Sequence, residues 1–199
     1  MNDKEIEKIQ RYIYKNSYSK TGEELIQYIK NKNAKVSFTQ EEWNKLLIPA
    51  CSGMLPEVFE WLLNNVAKIN ENGFDIVTMI IDSQEFRLEF LKMRIKLLKI
   101  LLSRIEKKYY TKTINFALMK ACWFNNIYVV EFLLKIGANV TFLFDDGKTP
   151  YNCAKKYGER FSDYSLYNYI KNYLKENDLK DTAIFYSKKD FMGYSIYKI

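Results

Sequence analysis

One short phrase returns along this chain at a fixed interval, and that interval limits the possible folds more than any other feature. The phrase occurs as Ala34-Lys35-Val36-Ser37, again as Ala67-Lys68-Ile69-Asn70, and a third time as Gly137-Ala138-Asn139-Val140-Thr141. A second marker, an alanine beside a cysteine, occurs at Ala50, Ala121 and Ala154. These alanines are separated by the same two intervals as the phrase, but in the opposite order. The shorter interval is about 33 residues and the longer slightly more than twice that, which is typical of an array of stacked supersecondary units.

The composition favours helical units. Of the 199 residues 48% are apolar, while seven are glycine and three are proline, which argues against both a disordered chain and a turn-rich β-sandwich. Following the period along the chain predicts five units, each with two helices and a loop, and then a tail. The predicted bounds are 1–37, 38–70, 71–108, 109–141 and 142–177 for the units and 178–199 for the tail.

The fourth unit has the clearest local signals. The pattern predicts a short apolar helix over 116–124 and a second over 127–136, with Asn125-Asn126 as the tight turn between them, because asparagine tolerates left-handed backbone. Gly137 is expected at the left-handed position that ends the second helix. After it, Thr149-Pro150 is typical of a helix start, with threonine as the cap and proline in the first turn. The recurring alanines Ala50, Ala121 and Ala154 are expected where helices approach closely.

The fourth unit and its junction with the fifth resemble the ankyrin repeat. The matching segments are Ala121-Cys122, Val129-Val130-Glu131-Phe132-Leu133-Leu134, Gly137-Ala138-Asn139-Val140 and Asp146-Gly147-Lys148-Thr149-Pro150. The resemblance implies an all-α, ankyrin-type helical solenoid in which helix pairs alternate with short β-hairpin loops. It also implies a non-catalytic protein–protein interaction module that uses the concave face of its inner helices and its hairpin tips.

The irregular units depart from this pattern in two places. The third unit is slightly longer than the period, with the extra length expected in 82–93. In the fifth, residues 159–163 follow Tyr157-Gly158 before a helical pattern resumes over 165–175.

Several kinds of chemistry lack the residues that they need. The chain has no histidine, which removes Ser-His-Asp and Cys-His catalysis and the commonest zinc sites. Its three cysteines, Cys51, Cys122 and Cys153, have no metal-ligand spacing and are expected to pack as small apolar residues. The paired acids Asp145-Asp146 lie in a predicted turn, where they would cap the backbone. We therefore expect no enzymatic activity, no cofactor and no metal.

Partner binding is expected in the C-terminal units. By the register of the resemblance, Trp123 and Phe124 would face the groove in the fourth unit, and Lys156 and Tyr157 in the fifth, with Lys148 on the hairpin beside the apolar Phe142 and Phe144. Aromatic residues dominate many interface hot spots. An alternative stays open, in which Trp123 and Phe124 fill the core and Phe142 and Phe144 pack against the tail.

The net charge of +7 raises a second possibility, a basic surface that binds nucleic acid. The densest basic stretch holds Lys92, Arg94, Lys96, Lys99, Arg104, Lys107, Lys108 and Lys112. Leu91, Ile95, Leu98, Leu102 and Ile105 have the spacing of one buried helical seam, which would leave the lysines on an ordinary solvated face. No nucleic-acid motif accompanies them. A protein partner, preferably an acidic one, therefore suits these charges better.

The two ends of the chain carry further expectations. The acidic start and the lack of a long apolar run predict neither a secretory signal nor a membrane span, which favours the cytoplasm, or the interior of a host cell if the protein is exported. The tail is rich in aromatic residues (Phe185, Tyr186, Phe191, Tyr194 and Tyr197), and we expect it to fold back over the fifth unit. The oligomeric state stays open.

Overall fold

The computed structural model describes residues 3–69, 73–82, 88–177 and 179. Within these residues all regular structure is helical, in eleven α-helices with no β-strand. The all-α prediction is confirmed, while the solenoid and its β-hairpin loops stay predictions. The chain divides into two compact units, unit 1 (residues 1–117) and unit 2 (residues 118–199).

Seven helices lie in unit 1, and an eighth contributes residues to both units. They are α1 (Asp3–Asn16), α2 (Gly22–Lys35), α3 (Gln40–Lys45), α4 (Leu47–Ser52), α5 (Pro56–Asn65), α6 (Phe74–Ile81), α7 (Leu88–Leu102) and α8 (Lys107–Trp123).

The helices of unit 1 pack in two rows. In one row α1 contacts α4, which contacts α6; in the other α2 contacts α5, which contacts α7. The side chains between them include Ile13, Leu25, Phe59, Val77 and Leu98, all fully buried. Helices as short as these are marginal alone in water, so this mutual burial of apolar faces is what stabilises them.

Two of these helices begin with the same local device. Thr21 and Glu24 form a capping box at the start of α2, and Thr39 and Glu42 form another at the start of α3. In each, the threonine hydroxyl accepts from the glutamate N–H, and the glutamate carboxylate accepts from the threonine N–H over 2.8 Å. These boxes satisfy backbone donors that the first helical turn leaves without partners.

Unit 2 contains α9 (Ile127–Lys135), α10 (Pro150–Phe161) and α11 (Ser165–Glu176), and α10 packs against α11. Its predicted helix ends are confirmed. Asn125 has a φ of 55° and Gly137 a φ of 93°, both left-handed. The Thr149 hydroxyl accepts from the Asn152 N–H over 3.1 Å, and Pro150 occupies the first turn of α10.

Two helices are longer than the sequence pattern predicts. Helix α8 begins at Lys107 rather than near residue 116. Helix α10 continues through Phe161, so residues 159–161 extend it instead of interrupting it. Gly158 is buried inside α10, where a Cβ atom would lie 2.6 Å from Cδ1 of Tyr164. The glycine therefore serves a close approach of the Tyr164 ring and does not end the helix.

The recurring small residues lie in the core, as predicted. Ala50, Ala121 and Ala154 are at most 2% exposed. All three cysteines are buried and free. Burial raises the pKa of the Cys153 thiol to about 11 and raises those of Cys51 and Cys122 as well. The thiols therefore stay protonated and act as small apolar groups.

Other expectations fall wholly or partly outside the described residues. The tail that is predicted to pack on the last unit, residues 178–199, lies outside the described residues apart from Leu179. In the third unit α6 ends at Ile81 and α7 begins at Leu88, and 83–87 within the expected insertion are not described. The bounds of the five sequence units stay predictions.

Candidate functional site

Two turns of unit 2 are held together by one side-chain hydrogen bond. Asn125 lies in the turn between α8 and α9, and Asp163 lies in the turn between α10 and α11. The Asn125 Nδ2 atom donates to Asp163 Oδ2 over 2.8 Å. The other carboxylate oxygen, Asp163 Oδ1, accepts from the Ser165 hydroxyl over 2.7 Å and from the Ser165 N–H over 3.0 Å.

These hydrogen bonds keep the Asp163 carboxylate ionised. Both bonds from Ser165, and then the bond from Asn125, lower the pKa of Asp163, because each donor favours the charged form. The ionised carboxylate thus connects both turns.

Exposed aromatic residues lie close in sequence to both partners of this hydrogen bond. Trp123 lies two residues before Asn125 and is 43% exposed; Phe161 lies two residues before Asp163 and is 54% exposed. Tyr164 directly follows Asp163 and is also 43% exposed. Aromatic rings concentrated at one place on a surface are typical of a binding site.

The same region contains Phe124 and Tyr157, which are half-buried. We refer to it as the turn surface, comprising Trp123, Phe124, Tyr157, Phe161 and Tyr164. Within it the rings of Tyr157 and Phe161, one helical turn apart on α10, have centroids 4.6 Å apart. The Arg160 guanidinium lies 5.1 Å from the centroid of the Phe161 ring, within range of a cation–π contact.

Tyr164 contacts two neighbours. Its ring packs on Gly158 of α10, which has no side chain to displace it. It also makes an edge contact with the ring of Tyr167, at a centroid distance of 6.2 Å. The Tyr167 hydroxyl is in turn 2.9 Å from the Tyr151 hydroxyl. The exposed ring therefore rests on fixed neighbours.

The loop before α10 ends in a tight turn. The Phe144 N–H donates to the Lys148 carbonyl, the Gly147 N–H donates to the Phe144 carbonyl, both over 2.9 Å, and Gly147 has a φ of 73°. This is the hydrogen-bond pattern of a three-residue hairpin loop that ends in a left-handed residue, without flanking strands. The side chain of Lys148 pairs with Asp146 in the same turn.

Phe142 and Phe144 pack on each other at a ring-centroid distance of 4.9 Å. Phe144 is only 9% exposed and Phe142 is half-buried, whereas the intervening Leu143 is 40% exposed. Phe144 thus supports the turn from inside and offers little surface to a partner.

Three of the predicted binding residues lie apart from the turn surface. Phe142, Phe144 and Lys148 precede the start of α10 at Pro150, whereas Tyr157 lies about 10.5 Å along the helix from Pro150, at roughly 1.5 Å per residue, and Phe161 of the turn surface lies about 16.5 Å along it. These three residues are therefore distant from the turn surface.

Sequence reasoning missed Phe161 and Tyr164. The four-residue spacing of Tyr157 and Phe161 places both on one face of a continuous helix. Gly158 hides that signal in the sequence, because a glycine at this place is also typical of a helix end.

Two basic residues of α10 lie next in sequence to residues of the turn surface. Lys156 and Arg160, four residues apart on α10, are both exposed. Burial dominates the raised pKa of the Cys153 thiol, and the charges of Lys148, Lys156 and Lys120 act in the opposite direction. Asp146 is the acid that acts on the same thiol.

The basic stretch in unit 1 follows the predicted amphipathic pattern. Leu91, Leu98, Leu102 and Ile105 of the predicted seam are buried, with Ile95 half-buried, while Lys92 and Lys99 are exposed. Arg94 is fully buried, so this member of the basic stretch contributes no charge to the surface.

Other members of that stretch have partners within the protein. Lys96 pairs with Glu57 at 2.8 Å, Lys108 pairs with Glu106 at 3.2 Å, and Arg104 donates to the Asn64 side chain.

Metal-binding clusters and membrane spans are both missing from the described residues. Over these ranges, no three Asp, Glu or Cys side chains cluster in a way that could hold a metal ion. Nor does any helix in this part of the chain have the length and apolarity needed to cross a membrane.

One protein family matches the part of the chain that contains the turn between α8 and α9. Residues 115–143, which include the C-terminal half of α8, all of α9 and the following loop, match the family model of the ankyrin repeat. The resemblance predicted from sequence is thereby confirmed over this stretch. No curated protein matches the chain.

Proposed function

We propose that this protein is a non-catalytic interaction module that binds a protein partner through the concave face and hairpin tips of its C-terminal repeats. The ankyrin repeat at 115–143 suggests an interaction module of this kind. The turn surface is the anchor of the proposed contact. The observation that carries the proposal is the exposure of Trp123, Phe161 and Tyr164, each close in sequence to one of the two turns that the Asn125–Asp163 bond joins.

The energetic argument rests on aromatic area. A tryptophan or phenylalanine exposed by about half can still transfer a large apolar area from water to an interface. Full burial of such a side chain contributes roughly 1.5–3 kcal/mol. Trp123 and Phe161 end the helices that precede the two turns joined by the Asn125–Asp163 bond, so ordering this surface on binding should cost little free energy.

Two carboxylates of unit 2, one beside the turn surface and one in the turn before α10, support a non-catalytic role. Asp163 accepts three hydrogen bonds, and Asp146 pairs with Lys148. Both have pKa values held below the ordinary range, although burial opposes the shift at Asp146. An acid–base catalyst near neutral pH requires a raised carboxyl pKa, so these groups suit structural roles. The buried free thiols suit the cytoplasm, the compartment that we propose.

A capture experiment tests the proposal. Tagged wild-type protein and a Trp123→Ala/Phe124→Ala variant are used to recover partners from native lysate, each with and without nuclease, and the recovered proteins are quantified by mass spectrometry. The matched control is Tyr14→Ala/Tyr18→Ala, which removes two exposed aromatic rings from unit 1. Circular dichroism checks that all three proteins are folded.

The expected result is a protein that wild type and control retain and the Trp123→Ala/Phe124→Ala variant loses, whether or not nuclease is present. Equal recovery by all three would exclude the turn surface as the anchor. Recovery that disappears with nuclease would favour the nucleic-acid alternative instead.

A further inference from the structure

We propose that unit 1 contains a second binding site, a cleft that takes an arginine side chain of a protein partner. The cleft has a volume of about 310 Å³, and we refer to it as the methionine cleft, lined by Tyr18, Met54, Glu89, Phe90 and Met93. This inference goes beyond the proposed function, because it adds a separate site in unit 1 and the chemical class of its ligand.

Three segments of unit 1 meet at the methionine cleft. Tyr18 lies in the turn between α1 and α2, Met54 lies in the turn between α4 and α5, and the other three residues lie in the first two turns of α7. The rings of Tyr18 and Phe90 make an edge contact at a centroid distance of 6.1 Å. Glu89 and Met93 are four positions apart and therefore lie on the same face of α7.

The turn between α4 and α5 has an unusual backbone where it forms one wall of the cleft. Gly53 approaches the first turn closely, since a Cβ atom there would lie 3.1 Å from Cβ of Ser17 and 2.7 Å from the Pro49 carbonyl oxygen. Met54 then has a left-handed φ of 53°, and its N–H donates to the Cys51 carbonyl over 3.1 Å. A residue with a side chain adopts this conformation at a cost in free energy, and such residues cluster at ligand-binding sites.

Most of the lining is apolar. Met54 is 7% exposed and forms the inner part of the cleft, whereas Met93 is 39% and Tyr18 72% exposed at its opening. Methionine side chains adapt their shape to a bound group. Long cationic side chains bury their methylene stems along apolar surface and keep the charged end near water. The cleft therefore has the surface that such a stem requires.

Glu89 supplies the charge that selects a cation. Among the described residues that line the cleft, Glu89 is the one with a charged side chain, and this side chain is exposed. Within the part of the chain that the structure describes, its carboxylate forms no ion pair and accepts no hydrogen bond. A cationic group from a partner is therefore its electrostatic complement.

The basic residues nearby on α7 leave this carboxylate available. Lys96 pairs with Glu57 at 2.8 Å, and Arg94 is fully buried. Lys92 is exposed, but it neither lines the cleft nor forms an ion pair with Glu89. The local charge at the cleft is thus negative although the whole chain is basic.

The aromatic rings favour arginine over lysine. A guanidinium is planar, stacks on aromatic rings and can donate two parallel hydrogen bonds to one carboxylate, whereas an ammonium is a compact and strongly hydrated charge. Phe90 directly follows Glu89, and Tyr18 contacts Phe90, so the same cleft presents aromatic surface and a carboxylate. We therefore assign the methionine cleft to an arginine side chain.

The test is methyl NMR spectroscopy of the full 199-residue chain, labelled with carbon-13 at its methionine methyl groups. A glycine–arginine–glycine peptide with blocked ends is titrated into the protein. The expected result is a saturable shift of the Met54 and Met93 signals, with a dissociation constant on the order of 1 mM for a single side chain. The methyl signals of Met79 and Met119, which do not line the cleft, should stay in place.

Two further peptides test the chemistry of recognition. Citrulline has the shape of arginine without its charge, so the citrulline peptide should bind at least about tenfold more weakly. The lysine peptide should bind at least about threefold more weakly, because an ammonium cannot stack or donate two parallel hydrogen bonds.

Glutamate variants locate the site. Glu89→Gln should weaken binding of the arginine peptide at least about fivefold, since the ion pair is lost. The matched control is Glu60→Gln, at an exposed glutamate of α5 that does not line the cleft, and it should leave the affinity within about twofold. Trp123→Ala/Phe124→Ala should bind the peptide as wild type does, because the turn surface is a separate site.

Four outcomes would overturn the inference: no shift of the Met54 and Met93 signals up to about 10 mM peptide, equal shifts of all four methionine signals, equal affinity for arginine and for either companion peptide, or unchanged affinity of Glu89→Gln. The proposed function is tested separately by the capture experiment on the turn surface. Failure of the methionine cleft would leave that result intact, and the reverse also holds.

Discussion

Asn125 and Asp163 are 38 positions apart in sequence, yet the amide nitrogen of one donates to the carboxylate of the other over 2.8 Å. The bond connects the turn after α8 to the turn after α10, and each of these turns carries exposed aromatic residues. It therefore couples the local geometry of two separate turns to the shape of one candidate binding surface.

Replacing Asn125 should separate two roles of this residue, the hydrogen bond to Asp163 and the left-handed backbone conformation of the turn. Asn125→Gly removes the hydrogen bond but keeps the left-handed conformation, so we expect a loss of roughly 0.5–1.5 kcal/mol in the free energy of unfolding. Asn125→Ala adds the cost of a side chain at positive φ, about 1 kcal/mol more. Urea unfolding of both variants provides the measurement.

The background control for that comparison is Asp163→Ala. In this background Asn125→Gly should cost less, since the acceptor is already absent, while the difference between glycine and alanine at position 125 should persist. An unchanged cost of Asn125→Gly would mean that the hydrogen bond does not contribute to stability.

The contribution of Asp163 should depend on pH. Its folded pKa is lower than the unfolded value of about 3.9, so the carboxylate stabilises the folded state above that value, and the contribution is lost as pH falls through the folded pKa. The difference in unfolding free energy between wild type and Asp163→Ala should be constant from pH 7 to about 5 and shrink towards pH 2.5. Chemical denaturation across this range measures it, and a difference independent of pH would contradict the assignment.

Gly158→Ala should destabilise unit 2 although alanine is the better helix former. The new methyl group would lie 2.6 Å from a ring carbon of Tyr164, and moving that ring should cost roughly 1–3 kcal/mol. Combining the change with Tyr164→Ala removes the clash, and in that background the same substitution should be neutral or stabilising by up to about 1 kcal/mol. Thermal unfolding of the four proteins measures both effects, and equal shifts in the two backgrounds would argue against the contact.

Ala121→Leu tests the close approach of helices. Ala121 is fully buried, and overpacking there should cost roughly 1–3 kcal/mol and lower the melting temperature. The matched control is Ala34→Leu, which makes the same change at an alanine of the recurring phrase that is not buried and should have little effect. Wild-type melting of Ala121→Leu would refute the buried position.

The aromatic tail remains a prediction from sequence. If 180–199 pack on the last unit, ending the chain after Leu179 should lower the melting temperature and speed proteolysis of unit 2. Comparison of the two chain lengths by thermal unfolding and limited proteolysis measures this. Unchanged stability of the shorter chain would remove the tail from the fold of the unit.

Features that depend only on near neighbours were predictable from the sequence. The Asn125-Asn126 turn, the helix end at Gly137 and the helix start at Thr149-Pro150 all follow from backbone preferences and local hydrogen bonds. The buried alanines followed from their register in the period. The repeat match at 115–143 lies where these signals are densest.

Features that depend on distant neighbours were decided by the tertiary structure. Gly158 lies within α10, which continues to Phe161, and the missing side chain leaves room for the ring of Tyr164, a contact invisible to local preference. Arg94 lies three residues after Leu91 and four before Leu98, on the buried face of α7, and only the structure shows that this charged side chain is fully buried there. The sequence thus determined where helices turn and which small residues lie inside, whereas only packing between elements decided which aromatic rings meet solvent and which turns lie together.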